Sequence, residues 1–334
     1  MDLLKALVTG GAGFIGSNLV DRLLERGDEV YVVDNLSTGS VLNIRHNFDN
    51  PMFHFLNDDI VTSHSLEPIV AQCDLIFHLA AAVGVKFIVD DPLGTILTNV
   101  RGTENVLLLA SKYWKRVVIA STSEIYGKSN GGALSEDADR VLGPTTVNRW
   151  SYSASKAIDE HFAFAFHQKG LPISIVRYFN SYGPRVNEAG YGSVIANFMR
   201  QALSGEPLTV HGDGSQSRCF TFVHDTVRGT ILASDLKPAI GEAINIGNEN
   251  EVTILALAQM IKSITGSSSE IVTMPYRDYY GQNYEDTPRR QPDVRKAQRL
   301  LDFSANTSLE DGLMKTIEWC RENYVVAQKP SQHR

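Results

Sequence analysis

Gly10-Gly11-Ala12-Gly13-Phe14-Ile15-Gly16 is the stretch on which the reading of this chain turns. Apolar Ala6-Leu7-Val8 precede it, and Ile15, Leu19 and Leu23 follow at helical spacing, with Val20 and Leu24 beside them. That pattern predicts a strand, a tight turn and a helix. Gly10, Gly13 and Gly16 let the backbone turn sharply, approach a ligand closely and pack the helix on a sheet, while the helix N-terminus offers unpaired N–H groups to a diphosphate. A second strand, Glu29 to Val33, ends in Asp34, eighteen residues after Gly16, where an acid accepts hydrogen bonds from an adenosine ribose. A dinucleotide is expected here. Asp34 would repel a 2'-phosphate, and no Arg or Lys occurs from Asn35 to Ile44 to attract one, so NAD is expected rather than NADP.

The 334 residues, 43% hydrophobic and 21% charged, suffice for one α/β domain and a smaller partner. A formal charge of -7 argues against a general nucleic-acid or membrane-surface role, which needs a basic patch. Cys73, Cys219 and Cys320 form no C-x-x-C pair and are odd in number, so they read as reduced thiols, with no metal site and no disulfide framework. No signal peptide is read, because Asp2 interrupts any apolar start, and Leu75 to Val85 contains His78 and is too short to span a bilayer. A cytoplasmic protein is expected.

Strand-like and helix-like segments alternate through the first half. Strands are expected near Leu4 to Thr9, Glu29 to Asp34, Met52 to Asn57, Leu75 to Leu79 and Arg116 to Ala120, with helices near Ser65 to Gln72 and Leu93 to Tyr113. Such alternation implies an α/β fold, a Rossmann-type doubly wound parallel sheet with ligands at the strands' C-terminal ends. Asp58-Asp59-Ile60, after the third strand, is placed to cap an adenine edge. Small residues follow His78 and let backbone pass close to a cofactor; His78 itself reads as a satisfied core residue. Beyond the fifth strand lies Ser121-Thr122-Ser123-Glu124-Ile125-Tyr126-Gly127, rich in hydroxyls with one acid. Later, Tyr152-Ser153-Ala154-Ser155-Lys156 puts a phenol and an ammonium on one helical face at i, i+4. A phenol with a pKa of about 10 needs help to act as a base at neutral pH, and Lys156 with a charged nicotinamide would supply it.

This conjunction resembles the extended short-chain dehydrogenase/reductase family, specifically its nucleotide-sugar epimerases, decarboxylases and dehydratases. The resemblance runs from Leu4 to about Tyr324 and also rests on Arg177-Tyr178-Phe179-Asn180-Ser181-Tyr182-Gly183-Pro184 and Gly212-Asp213-Gly214-Ser215-Gln216-Ser217-Arg218. It implies an NAD-binding domain over 1–180 with 221–248, a smaller α/β domain for the sugar nucleotide over 181–220 with 249–327, and a flexible tail, 328–334. The cofactor would meet Gly10, Gly13, Phe14, Ile15 and Gly16 in the turn, then Asp34 and Asn35, and Asp59 and Ile60. Leu79, Ala80 and Ala81 would pass beside it, and Asn99, Tyr152, Lys156 and Tyr178 complete that set. Asn180 and Arg218 would hold the diphosphate of a UDP-sugar, as suits a planar guanidinium. Ser123, Lys86, Arg185, Val194 and Arg290 are the further substrate candidates, and Ser193 to Leu203 would form a helix over the sugar. A homodimer packed through Arg101 to Tyr113 and Ser155 to His167 is also implied.

The implied chemistry opens with Tyr152 taking the sugar 4-hydroxyl proton while hydride passes from C4 to NAD; Thr122 shares the proton's hydrogen bond and Lys156 holds the ribose. The 4-ketone then rotates and is reduced on its other face, or loses carbon dioxide if C5 bears a carboxylate, or loses water from C6. Thr122-Ser123-Glu124 lacks the Asp of dTDP-glucose dehydratases. It resembles uronate decarboxylases and GDP-mannose dehydratases, the latter usually NADP enzymes. Arg290 matches an arginine assigned to decarboxylation, in a segment from Tyr284-Glu285-Asp286 to Asp293, and Glu124 would help protonate C5. Two positions depart from the decarboxylases: Ile88 stands where they carry a tyrosine, and Ser193 where they carry an arginine. Ala80 to Lys86 and Ser193-Val194-Ile195 resemble the 4-epimerases, whose small residues leave room for ketone rotation. The expectation is an NAD-dependent UDP-sugar 4-epimerase, with UDP-glucuronate decarboxylase as the rival. A 4,6-dehydratase or a non-catalytic NAD sensor ranks behind, the sensor because Tyr152 and Lys156 are both present.

Overall fold

The computed structural model describes residues 4–84, 88, 90–128, 131–186, 194–275 and 287–327. Six strands, β1 (Lys5–Thr9), β2 (Glu29–Asp34), β3 (Phe53–Asn57), β4 (Leu75–His78), β5 (Arg116–Thr122) and β6 (Ile173–Tyr178), join Ala243–Ile246 in one sheet. Its order is Ala243–Ile246, β6, β5, β4, β1, β2, β3, and every pairing is parallel. The order reverses between β1 and β4, where Thr9 stands opposite His78. A crevice opens beyond the strand ends at such a reversal. The fold is the Rossmann-type α/β sheet expected from the alternation.

Apolar side chains of the strands point to both faces, so the sheet carries two cores. Ala6 and Val8 pack with Leu19, Val20 and Leu23 of helix α1 (Phe14–Arg26) on one side. Leu7, Ile76, Val117 and Ile119 pack on the other with Val106 and Leu107 of helix α3 (Pro92–Lys112), and with Leu66 and Val70 of helix α2 (Leu66–Gln72). Helix α4 (Arg149–Gln168) lies against α3 on that second face. A third core, built from Tyr182, Phe198, Met199, Leu208, Leu257 and Leu313, stands apart from the sheet. Its helices include Val194–Ser204, Ile254–Thr265 and Leu309–Ala327.

Two boundaries differ from the sequence expectation in ways that matter. Strand β5 runs on to Thr122 because its pairing with β6 continues to Thr122 opposite Tyr178, so Ser121 and Thr122 sit on rigid strand. Helix α4 begins at Arg149, one turn before Tyr152, which carries Arg149 to the same end of the helix as the phenol. All three cysteines are buried and free.

The turn after β1 is held by close contacts. Gly10 has a positive φ of 73°, and a Cβ there would fall 2.7 Å from the backbone nitrogen of Ala80. A Cβ on Gly16 would lie 2.1 Å from the Gly10 carbonyl oxygen. Replacing a helical Gly by Ala normally stabilises by about 1 kcal/mol, but forcing a methyl into rigid backbone costs about 1–3 kcal/mol. Gly16→Ala is therefore expected to destabilise, which urea denaturation will read as a lower midpoint; an unchanged or higher midpoint contradicts the packing argument.

Candidate active site

A cavity of about 470 Å³ opens beyond the C-terminal ends of the sheet strands. Gly10, Gly13, Phe14, Ile15 and Gly16 form one wall and Asp34, Asn35, Asp59 and Ile60 one end. Leu79, Ala80, Ala81 and Tyr178 follow, and Thr122, Ser123, Glu124, Tyr152, Lys156, Asn180 and Arg290 line the remainder. Residues separated by most of the chain meet because the loops after successive parallel strands all emerge on one edge.

The residues present fit NAD. Asp34 Oδ2 accepts from Ala12 N at 2.9 Å and Oδ1 from Leu36 N at 2.8 Å, which fixes the carboxylate at the cavity's edge. Burial nevertheless pushes the Asp34 carboxyl above the usual carboxylate range. Asp59 is held in turn, with Oδ2 accepting from Asn35 Nδ2 at 2.8 Å. The N-terminus of α1 has no side-chain cap, leaving its first N–H groups to a phosphate.

Tyr152 and Lys156 are almost fully buried on one face of α4. Burial first, then the charges of Glu124 and Asp159, raises the Tyr152 phenol above its ordinary value, while a hydrogen bond with Thr122 lowers it. Thr122 Oγ1 also accepts from Glu124 N at 3.1 Å, capping a short turn, Ser123–Tyr126. Thr122 thereby ties the phenol to the loop that carries Glu124.

Glu124 sits between two arginines. Arg290 Nη1 donates to its Oε1 at 2.5 Å and Arg149 Nη2 to its Oε2 at 3.4 Å. Burial alone would push the carboxyl up, but Arg290, Arg149 and Arg218 outweigh it and hold Glu124 down at about 2. Arg290 is 5% exposed and reaches the site from a short strand, Arg289–Arg290, paired with Ser217 and Arg218. A buried brace supports the same loop. Arg177 Nη2 donates to Glu160 Oε2 at 2.7 Å, Arg177 Nη1 to the Tyr126 hydroxyl at 2.9 Å, and Tyr126 in turn to Asn245 Oδ1 at 2.7 Å.

Several expected site residues lie elsewhere. Asn99 Oδ1 accepts from Ala82 N at 2.8 Å and its Nδ2 donates to Ser155 at 3.0 Å, so it bridges backbone to α4 behind the cavity wall. Arg185 is engaged by Asp21 of α1 at 2.6 Å. Val194 and Arg218 are not among the described residues lining the cavity, although Arg218 is near enough to act on Glu124. Lys86, Ser193 and Tyr284 to Asp286 fall outside the described residues. His78 is buried, between Thr9 at 2.8 Å and Thr103 at 3.0 Å, and burial followed by the Lys156 charge holds it down at about 3. Arg149 was missed, although its spacing of three residues before Tyr152 marks it as a neighbour on one helical face.

Fold and site together define an NAD-dependent nucleotide-sugar enzyme of the extended short-chain dehydrogenase/reductase type. Residues 7–316 match the GDP-mannose 4,6 dehydratase family model, and the chain belongs to that family. It is 45% identical over 318 residues to a UDP-N-acetyl-alpha-D-glucosaminuronate decarboxylase of Bacillus cytotoxicus, covering 95% of this chain and 98% of that one. With UDP-glucuronic acid decarboxylase 1 of Danio rerio it shares 40% over 319 residues, 95% of this chain and 73% of that one. A UDP-glucuronic acid 4-epimerase of Bacillus cereus, solved with UDP-glucuronic acid and NAD, superposes with a TM-score of 0.85 at 31% identity, covering 96% and 99%.

These relatives overturn the expected 4-epimerase, since the higher sequence identities belong to uronate decarboxylases. The physical reason lies in the small residues after His78. They read as room for ketone rotation, yet at Ala80 the backbone lies pressed against Gly10, so this stretch serves the approach to the glycine turn. Ile88, which stands in place of the tyrosine, is buried at the cavity wall.

Because Glu124 is held far below an ordinary carboxyl, its charge contributes stability above about pH 4.5, and the contribution is lost as pH falls through about 2. Glu124→Gln, which leaves two arginines without their anion, is expected to destabilise the apoprotein at pH 7 by about 2 kcal/mol. Urea titrations at a series of pH values check this: the gap from the parent narrows between about pH 4.5 and pH 2, and a gap independent of pH counts against the ion cluster.

Proposed function

We propose that this protein is an NAD-dependent UDP-hexuronate decarboxylase. The observation that carries the proposal is the Arg149–Glu124–Arg290 cluster on the cavity wall beside Tyr152. Two guanidiniums at the reacting end of the site offer a substrate carboxylate the planar donors it needs. They do so without the donors missing at Ile88 and Ser193.

Bound NAD would accept hydride from C4 of the sugar and later return it. Tyr152 takes the proton of the 4-hydroxyl, with Thr122 sharing the hydrogen bond, which leaves a ketone at C4. The sugar is then a β-keto acid. Arg149 and Arg290 hold the C6 carboxylate with the C5–C6 bond directed out of the plane of the ketone, so the bond can break with its electron pair passing toward the C4 carbonyl. Carbon dioxide departs, and C5 takes up a proton. Glu124 is ionised at neutral pH while it holds the two arginines; a substrate carboxylate drawing on Arg149 and Arg290 would raise its pKa, and in that state Glu124 helps bring the proton to C5. Tyr152 hands its proton back to the C4 oxygen when the ketone is reduced again, and a UDP-pentose results.

The sheet domain, 1–180 with 221–248, would hold NAD, and 181–220 with 249–327 would hold the sugar nucleotide, with Asn180 at the junction. A homodimer through α3 and α4 would cover Leu108 and Ile158, which are exposed at 52% and 41%.

Incubation with NAD and either UDP-glucuronate or UDP-N-acetylglucosaminuronate, followed by proton NMR and carbon dioxide release, tests the proposal and names the C2 substituent accepted. Product that retains its carboxylate in both incubations overturns it. Tyr152→Phe is expected to lower kcat by about 10²–10⁴. Arg149→Met is expected to raise KM for the uronate about tenfold or more, the loss of a charge-assisted hydrogen bond, and an unchanged KM removes Arg149 from the carboxylate site.

A further inference from the structure

Lys156 and Asp159 stand one turn apart on α4, and both are closed off from solvent, at 2% and 0% exposure. The ammonium donates to Asp159 Oδ2 at 2.7 Å. The chemistry above makes no use of Asp159. An ammonium buried this deeply is held in its charged form only by an anion beside it. Glu160, the next residue, is committed elsewhere: Oε1 accepts from Ser121 at 2.6 Å and Arg177 binds both of its oxygens. On the far side the Thr103 hydroxyl, from α3, neighbours Asp159 and also meets His78 Nε2 at 3.0 Å. The buried series Thr9–His78–Thr103 thus ends next to the Lys156–Asp159 pair.

We infer that Asp159 is a positioning residue, the fixed counterion that keeps Lys156 an ammonium at the cofactor's ribose and so lets Tyr152 serve as a base. The inference rests on the Tyr152–Lys156 chemistry proposed above. The titratable groups facing the pair are His78 from β4 and Tyr152 and Glu160 from α4. His78 is neutral at working pH and Glu160 is neutralised by Arg177, so neither replaces Asp159. The Asp159 charge also acts on Tyr152, in the direction opposed to base chemistry. Its benefit therefore passes through Lys156 alone.

The test reads Lys156 directly and then its consequence. Lysine-selective ¹³C NMR, with the Lys156 signal assigned by Lys156→Met, is recorded on the parent and on Asp159→Asn, with and without NAD, between about pH 6 and pH 10. Lys156 in Asp159→Asn is expected to lose its proton at lower pH than in the parent; coincident titrations overturn the inference. This readout does not involve the sugar, so it stands or falls separately from the decarboxylase assignment. In turnover, Asp159→Asn is expected to lower kcat about tenfold or more, the effect of a one-unit change, with KM for the sugar nucleotide unchanged. Its activity falls as pH rises where the parent's does not. Lys156→Met with Asp159→Asn should be no slower than Lys156→Met alone, whereas multiplying losses mean a merely structural Asp159. If Asp159→Asn does not fold, Asp159→Ser takes its place under the same criteria.

Discussion

Gly10 and Ala80 bring two backbones together at a separation that excludes a Cβ, and much of the site depends on that approach. It occurs where β1 and β4 lie side by side and the strand order reverses. Because the turn is pressed against the loop after β4, the N-terminus of α1 opens into the same crevice as the loops after β2, β3, β5 and β6. What this packing requires is a residue without a Cβ at position 10.

At the other end of the cavity the governing constraint is charge. Glu124 is partly enclosed and would be an ordinary acid or weaker were it alone; Arg290 and Arg149 make it a firm anion. Each arginine is itself buried and would be costly without the carboxylate. The cluster is therefore a mutually dependent unit, formed by a turn after β5, the first residue of α4 and a short strand far along the chain. A similar dependence holds between Lys156 and Asp159 beneath the phenol. The charge of each of these groups is set by how buried opposite charges are paired.

The sheet, its cofactor turn and the Tyr152–Lys156 face were legible in the sequence because each rests on local patterning: period-two or buried apolar runs, three glycines at fixed offsets, and an i, i+4 pair. The reaction was not legible in the same way. Ile88 and Ser193 removed two expected donors, and substitution at known positions reveals what is missing but not what takes its place. Arg149 sits one helical turn from the Tyr152 phenol, yet its partner Glu124 lies in another loop, and no spacing rule links them. Asn99 and Arg185 show the converse, polar residues near a cofactor motif whose partners here are Ala82 and Asp21.

The alternation over residues 4–120 by itself determined the α/β class, and residues 4–44 the preference for NAD, because a strand, a glycine turn, a helix and a terminal Asp act through contacts between near neighbours. Only the tertiary structure decided which side chains meet at the reacting end. Arg290 comes to Glu124 from 166 positions further along the chain, and Asp159 is a counterion only because packing of α3 and α4 removes water from around Lys156. Burial and the pairing of charge are properties of the assembled chain, and the strength of every charge in this site is fixed by them.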